Sequence, residues 1–478
     1  MPFSRATAIS LLVAGAFFME NLDGTVIVTA IPQMAKSFGI QPVELSIGVS
    51  AYILALAVLI PASGWLADRF GARTIFAAAI IVFTLSSILC GLAPNLPAFV
   101  AARVLQGVGG AMMVPVGRLV VLKTASKAEI IGAIGLIVWP GLAAPVVGPP
   151  LGGFITTYFS WHWIFFLNVP LGAIALYFAL RLIAESDRLQ KPFDGLGFML
   201  TGGASFAVML GIQLLTSDPP QWLWVTALLG SGLAMGAAAV RHSRRVAHPL
   251  VDLSALRYKT FSVTVWGGTL FRASIGAVPF LLPLLFQIGF GLDAFVSGLL
   301  VLSVFAGNIV MKIFTTQVLN RFGFRRVLIV NGLLNAATLL SCALISPATP
   351  IPVIVGLLFV SGLTRSMQFT TIATIAFADV PTERMNGANT LSNIVQQIGF
   401  AFGIAVAALA LRAAALVSPS SGGALSLMQF HLAFLIIGLI ALAGVADTFG
   451  VAADAGDALR KPVRAPPAPF GLQEGLDK

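Results

Sequence analysis

Charged side chains are scarce in this chain. Asp, Glu, Lys and Arg make up only 10% of its 478 residues, while 58% are hydrophobic and the mean hydropathy is +0.96. Soluble domains carry roughly 25% charged and about 45–50% apolar residues, so this shortage excludes a water-soluble fold. Cysteine is nearly absent: Cys90 and Cys342 stand alone, which rules out a disulfide framework. Both lie within apolar runs, where cysteine packs as a small apolar residue. No GxxxxGK[ST] phosphate loop and no HExxH pair occurs, so ATP-driven transport and metalloprotease chemistry lack their residues. Long polar stretches are missing too. The longest are about twenty residues from Arg241 to Lys259 and a Pro-rich tail after Gly450. Neither suffices for a soluble domain, and a sensor or receptor role is not expected.

What the chain does have is a succession of apolar stretches near the ~20 residues that a spanning helix needs. Fourteen occur, at about 9–31, 45–67, 75–93, 97–122, 130–157, 163–183, 196–216, 221–240, 261–288, 295–318, 327–346, 350–378, 387–417 and 428–450. The first follows an early Arg5 as a signal peptide would, but it runs through Glu20 and Asp23 with no clear cleavage site and reads as a span. The expectation is an all-α membrane protein with 14 transmembrane helices. Of 28 Lys and Arg, 22 fall in the N-terminus, the C-terminal tail and the loops after spans 2, 4, 6, 8, 10 and 12. The opposite loops hold essentially Lys36, with Arg412 in or near the end of span 13. Because positive loops stay in the cytoplasm, both termini are expected there, and the +10 net charge records topology, not nucleic-acid binding.

The chain also repeats itself. Ser63 to Arg73, SGWLADRFGAR, returns 252 residues later as TTQVLNRFGFR, Thr315 to Arg325, and the same offset superposes Cys90 on Cys342. Arg103 and Gln106 match Arg365 and Gln368 at an offset of 262, and Gly148/Gly152 match Gly399/Gly403 at 251. Two pseudo-symmetric halves of this kind are a plan that many secondary transporters share.

Three motifs carry a resemblance. Leu22 to Pro32, LDGTVIVTAIP, is similar to an LDxTIVNxALP run. Trp161 to Pro170, WHWIFFLNVP, is similar to WRWIFxINVP, with His162 where Arg is usual. Arg103 to Lys123, RVLQGVGGAMMVPVGRLVVLK, is close to a multidrug-exporter subgroup. With the loop after span 2, these make almost the whole chain resemble the fourteen-helix drug:proton antiporter branch of the major facilitator superfamily. The resemblance implies six-helix bundles at 1–190 and 260–450, two inserted helices and a cytoplasmic loop at 191–259, and a cytoplasmic tail at 451–478. It implies a transporter, not an enzyme, in a bacterial inner membrane. Such a protein is expected to work as a monomer in the lipid bilayer, without cofactor or metal, exporting small molecules in exchange for protons by alternating access. Multidrug efflux is the cargo that the resemblance favours.

In that family the loop holding Gly64, Asp68, Arg69, Gly71 and Arg73 acts as a cytoplasmic latch. Gly64 is expected to permit close helix approach, Asp68 to accept hydrogen bonds at the next helix or pair with an Arg, and Gly71 to allow the turn. The second copy has Asn320 in place of Asp68. Positive-inside loops account for the arginines without a latch, though not for the Gly/Asp spacing. In span 5, Pro145, Gly148, Pro149, Gly152 and Gly153 resemble the branch's antiporter motif. Proline kinks a helix and glycine admits a neighbour, so the segment either flexes between bundles or simply packs tightly.

Ionisable groups inside spans are functional candidates by default, and six are read there: Glu20, Asp23, Arg103, Arg272, Lys312 and Arg365. The resemblance gives Asp23 a role in proton coupling or substrate charge and makes Arg103 the residue that governs proton release. Glu20 stands three positions from Asp23 on one helical face, so two carboxylates share a site and one is a plausible proton carrier. Alternatively Glu20 neutralises Arg272, its equivalent at the 252 offset. Gln106, Gln368, Asn308 and Gln396, with Gln287, Asn393 and Gln397, supply amides either to the cavity or to helix packing. Four embedded cations against two carboxylates favour an anionic cargo, such as a di- or tricarboxylate or its metal complex, with Arg272 and Arg365 as anchors and Lys312 beside them. Each of the three could instead snorkel or pair structurally.

Overall fold

Apolar runs in lipid leave the backbone to satisfy its own amides along a helix, and the structure follows that demand. The computed structural model describes residues 5–124, 130–185, 192–215, 221–246, 249–251, 253–381, 384–418, 425–452 and 454–456. Helices succeed one another as α1 (Arg5–Phe38), α2 (Ser46–Phe70), α3 (Ala72–Gly91), α4 (Leu96–Thr124), α5 (Ile130–Tyr158), α6 (Trp163–Phe166), α7 (Asn168–Leu182), α8 (Gly195–Leu214), α9 (Trp222–Ser243), α10 (Lys259–Leu284), α11 (Ala294–Phe322), α12 (Phe324–Cys342), α13 (Ile351–Ile375), α14 (Met385–Val417) and α15 (Leu427–Ala446). Among the described residues, twelve segments are long and apolar enough to cross a membrane, with α6 and α7 sharing one. α5 and α12 are not among the twelve. The first half of α5 lies largely outside the described side chains, and α12 opens on Arg325 and Arg326. Most of the expected tail after Gly450 also lies outside the described residues.

The sequence repeat is a repeat of backbone geometry. Gly71 joins α2 to α3 at φ +92°, and Gly323 joins α11 to α12 at φ +77°, a region that L side chains rarely adopt. Each glycine N–H closes the helix before it, on Ala67 O at 3.0 Å and Leu319 O at 2.9 Å, and each carbonyl opens the helix after it. Near these turns, Arg73 Nη2 donates to Leu180 O at 2.8 Å and Arg325 Nη2 to Phe449 O at 3.3 Å. One arginine in each copy thus ties the start of its helix to the end of a distant one.

α1 packs on α4, α5 and α7, and α10 packs on α13, α14 and α15. α8 and α9 pair with each other, and α8 leans on α2 and α14. Only 22% and 11% of their apolar windows are buried, against 83% for α10, so α8 and α9 ride on the periphery. The start of α8 is fastened to the end of α9 at Asp194, which caps α8 by accepting from Gly197 N–H at 2.9 Å and also takes Leu250 N–H at 3.1 Å and His242 Nε2 at 2.7 Å. Burial opposes ionisation of Asp194, but these bonds outweigh it and hold the carboxyl below its ordinary range.

The two halves meet at the face where α1 ends and α2 begins. A Cβ on Gly153 of α5 would stand 2.8 Å from Phe295 Cα of α11, and one on Gly298 would stand 3.1 Å from Pro150 Cα. Only glycines let these helices cross so closely. Gln287 Nε2 donates to Thr29 O at 3.0 Å, Phe295 N–H to Thr157 Oγ1 at 3.1 Å, and Phe154 and Tyr158 set their rings 6.2 Å from that of Phe295. Ala401 and Ala405 of α14 pack with Met209 and Ile212 of α8 beside Ile53 and Leu54 of α2. α1, α2 and α5 are therefore clamped to α10, α11 and α14 at this face, which is opposite the Gly71 and Gly323 turns.

Candidate functional site

Asp23 sits at the middle of a buried knot that joins four helices. Arg103 Nη1 donates to Asp23 Oδ2 at 2.6 Å and to Gln106 Oε1 at 2.6 Å. Gln106 Nε2 and Asn168 Nδ2 donate to Asp23 Oδ1 at 2.9 and 2.8 Å, and both also reach Ser87 Oγ, at 2.8 and 3.2 Å. Arg103 and Gln106 are 0% exposed and Asp23 4%. The guanidinium carbon of Arg103 lies 4.2 Å from the ring centroid of Tyr52 on α2, a cation–π contact, while its Nε and Nη2 find no acceptor among the described residues. A buried ion pair survives only with its remaining lone pairs satisfied, and three donors do that for Asp23. α4 comes close enough because of its glycines: a Gly109 Cβ would stand 2.7 Å from Phe83 N of α3, and a Gly107 Cβ 2.8 Å from Tyr52 O of α2.

Glu20, one turn before Asp23, stays outside the knot. Its Oε2 is buried with no hydrogen-bond partner among the described residues. The cation acting most strongly on it is Arg118, whose guanidinium carbon is 5.7 Å from the Phe17 ring centroid. Arg118 lies within the 97–122 stretch, near its end, but is grouped from sequence with the loop cations; in the structure it is well inside α4, which continues to Thr124. Arg272 makes no bond to Glu20. It is 3% exposed, and its Nη1 turns back along α10 to donate to Thr264 O at 2.7 Å.

The second half has no counterpart of this ion pair, because the residue 252 positions after Asp23 is Ile275. Gln368 is 2% exposed and serves its own bundle, accepting from Asn331 Nδ2 at 3.0 Å and donating to Leu328 O at 3.1 Å. Of the amides read from sequence as serving either the cavity or helix packing, Gln106 joins the Asp23 knot and Gln368 bonds to α12. Arg365 sets its guanidinium carbon 5.7 Å from the Phe305 ring, and its buried Nη1 has no partner among the described residues. Lys312 Nζ donates to Thr370 Oγ1 at 2.7 Å. Arg272 Nη1 and Ile372 Cγ2 both lie within 3.4 Å of the point a Gly268 Cβ would occupy. Lys312 and Arg272 thus approach α13 at Thr370 and Ile372, in the two turns that follow Arg365. Asn308 and Gln396 are half-buried, and the Asn308 carbonyl accepts from Ser366 Oγ at 2.8 Å.

The latch residues occupy the end of α2. Gly71 makes the turn as expected from its conformational freedom, but Gly64 has a different setting: a Cβ there would meet nothing within 4 Å, so close helix approach is not its reason. Asp68 is half-buried and Arg69 exposed. Arg73 Nη1 lies 4.0 Å from Glu185 Oε1 in addition to its carbonyl bond. In α5, a Cβ on Gly148 would collide with the Thr25 side chain and one on Gly152 with the Val26 carbonyl, while Gly153 faces α11. Pro145 and Pro149 lie between these contacts, half-buried and buried. His162 stacks on Trp161 at 3.8 Å between centroids and shares a 2.6 Å hydrogen bond with Ser160; burial holds it below the usual histidine range.

Ser87, Asn168, Tyr52 and Arg118 are the residues that sequence reading passed over. Asn168 stands inside the quoted WHWIFFLNVP run, and Arg118 inside the run from Arg103. A lone amide or guanidinium in an apolar helix was the available signal for both.

The Major Facilitator Superfamily profile matches residues 13–404. The chain is 39% identical over 402 residues to a Klebsiella pneumoniae subsp. pneumoniae protein named "Putative multidrug resistance protein MdtD", covering 84% of this chain and 85% of that one. It is 38% identical over 402 residues to the protein of the same name from Pectobacterium carotovorum subsp. carotovorum, covering 84% and 86%. Among solved structures, a D-xylose-proton symporter superposes with a TM-score of 0.66 at 14% identity, covering 93% of this chain and 98% of that one. The POT family transporter PepTSo superposes with a TM-score of 0.68 at 11% identity, covering 94% and 98%. At such low identity these two likenesses speak for the fold alone.

Proposed function

Because the chain belongs to the major facilitator superfamily and is a multi-pass membrane transporter of that type, we propose that it exports small molecules in exchange for protons by alternating access, with multidrug efflux as its role. The observation that carries this reading is the pair of first-helix carboxylates in two states of engagement. Asp23 is locked to Arg103 and two amides, while Glu20, one turn away, has a buried oxygen with no partner among the described residues. A group that exchanges protons with water needs this freedom, and a group that senses the exchange needs a breakable ion pair.

The finer architecture belongs to the same reading. Twelve apolar segments together with α5 and α12 make fourteen spans. Two bundles, 1–190 and 260–450, flank the α8–α9 insert within 191–259, ahead of the 451–478 tail. Positive loops put both termini in the cytoplasm of a bacterial cell, with the chain in its inner membrane as a functional monomer. On that orientation the clamped face looks outward, and the Gly71 and Gly323 turns look into the cytoplasm. Protonation of Glu20 or Asp23 from outside then favours the state that opens inward, cargo displaces the proton, and Arg103 couples the two events. Gly64 to Arg73 forms the latch, and Pro145 to Gly153 is the segment on which the halves pivot.

A second reading of the cargo rests on Arg272 and Arg365, two buried guanidiniums that face no carboxylate among the described residues. It takes the substrate as an anion. Proteoliposomes with an imposed pH gradient separate the readings: proton flux is followed on adding tetraphenylphosphonium or citrate, with and without Arg272→Ala/Arg365→Ala. Flux with the cation, unchanged in the variant, is expected. Flux with citrate that disappears in the variant makes the protein an organic-anion exporter. No flux with either, under a maintained gradient, sinks proton exchange.

A further inference from the structure

Four tyrosines occur in the chain. Tyr158 and Tyr177 are 62% and 57% exposed and Tyr258 is half-buried, whereas Tyr52 is 3% exposed. A buried phenol ordinarily finds a hydrogen-bond partner, yet the Tyr52 hydroxyl has none among the described residues. Its ring is already committed, lying under the Arg103 guanidinium at 4.2 Å. Its hydroxyl is aimed elsewhere. The point at which a Gly110 Cβ would stand is 3.2 Å from Tyr52 Oη and 3.7 Å from the Glu20 carboxyl carbon. Absence of a side chain at Gly110 therefore lets the unpartnered phenol and a carboxyl carrying an unpartnered oxygen approach one small space, which Leu56 Cδ2 also borders at 2.9 Å from the same point.

We propose that Tyr52 is a positioning residue that transmits the protonation state of Glu20 to the Asp23–Arg103 pair. This rests on the proton-coupled reading above and adds the part that links the two carboxylates. When Glu20 is ionised, the Tyr52 O–H donates across the gap to its carboxylate, and the ring is drawn away from Arg103. When Glu20 is protonated the neutral acid attracts the hydroxyl less, and the ring returns to the guanidinium, as it stands here. The proton goes between Glu20 and water, and Tyr52 keeps its own. Withdrawing this buried cation–π contact alters how firmly Arg103 holds Asp23, whose other donors come from α4 and α7. The titratable and charged groups facing this gap are Glu20 and Asp23 on α1, Arg103 and Arg118 on α4, and Tyr52 itself. Cys90 on α3 is 3.7 Å from Gln106 Oε1 at the far side of the knot.

The test uses the full chain in detergent and needs no cargo: thermal unfolding temperature as a function of pH for the parent, Tyr52→Phe, Glu20→Gln and the double variant. Tyr52→Phe keeps the ring on Arg103 and removes only the hydroxyl. The parent profile is expected to contain a transition that Glu20→Gln removes. Tyr52→Phe is expected to move the midpoint of that transition by at least about half a pH unit, and to change nothing but a uniform offset when Glu20 is already Gln. Gly110→Ala, which fills the gap, is expected to move the midpoint as well. A uniform drop in unfolding temperature for Tyr52→Phe, identical with and without Glu20, assigns Tyr52 to packing alone and overturns the proposal. Failure of proton exchange itself is read separately, in the liposome flux of the parent.

Discussion

Asp23 holds Arg103 with the help of two amides, so its removal and the removal of its partner are not equivalent. Asp23→Asn leaves a guanidinium at 0% exposure without its counter-charge, which costs about 3–5 kcal/mol. Asp23→Asn combined with Arg103→Gln is expected to regain most of the lost unfolding temperature while leaving proton-driven transport abolished, as a double-mutant cycle in detergent and liposomes measures. Recovery of transport by the double variant would show that the pair is only scaffolding. Asp194 gives a pH-dependent contribution of opposite character, since it works outside the membrane. Its carboxyl is held below the ordinary value, so its contribution is complete above about pH 5 and fades as pH falls through the native-state value. Asp194→Asn is expected to lower the unfolding temperature at neutral pH and to converge on the parent in acid; a gap that persists unchanged into acid contradicts the ionised cap. At this scale the sequence displayed the charges but not their pairing. Asp23 and Arg103 were legible as ionisable residues in apolar runs, whereas Ser87 and Tyr52 look ordinary until the fold brings α2 and α3 against α4. Arg118 was lost because a cation near the end of a span reads as a positive-inside residue, although it stands within α4.

Glycines decide how the helices meet. The α5–α11 crossing admits no Cβ at Gly153 or Gly298 without moving backbone, since the nearest atoms are the Ala294 and Pro149 carbonyl oxygens, with further main-chain atoms at 2.8 to 3.1 Å. Gly298→Val is accordingly expected to cut transport at least tenfold by wedging the clamped face, whereas Gly230→Val on α9, where a Cβ meets nothing within 4 Å, is expected to transport as the parent does. Equal activity of the two variants would remove the crossing from the mechanism. The turn glycines act locally instead. At φ +92° Gly71 pays a strain of about 1–3 kcal/mol for any side chain, and Gly71→Ala and Gly323→Ala should destabilise alike if the repeat is structural. Much of this was legible, because a positive-φ glycine between basic residues recurs at one offset in both halves. Gly64 was misjudged for a physical reason: a small-residue spacing predicts a contact only when a neighbour is present on that face.

The molecule as a whole has one joined face and, in the second half, no copy of the ion pair that dominates the first. Charge chemistry is concentrated in α1 and α4, while the second half supplies guanidiniums on α10 and α13 and the helix that meets α5. A pseudo-symmetric frame thus carries an asymmetric load, and motion must pass through the contacts that cross between halves. Phe295 N–H and Thr157 Oγ1, 3.1 Å apart, mark one of these. Cysteines placed at both positions are expected to oxidise to a disulfide that holds this face shut, stopping transport, with reductant restoring it. Cys90 and Cys342 are 0% and 2% exposed and do not compete for the oxidant. Alternating access requires that the face separate once per cycle, so the oxidised variant must be inactive even though its proton-binding residues are intact. Transport at the parent rate by fully cross-linked protein would place the opening elsewhere, and the direct packing of α2 on α14, against which α8 leans, would then be the remaining contact between the halves.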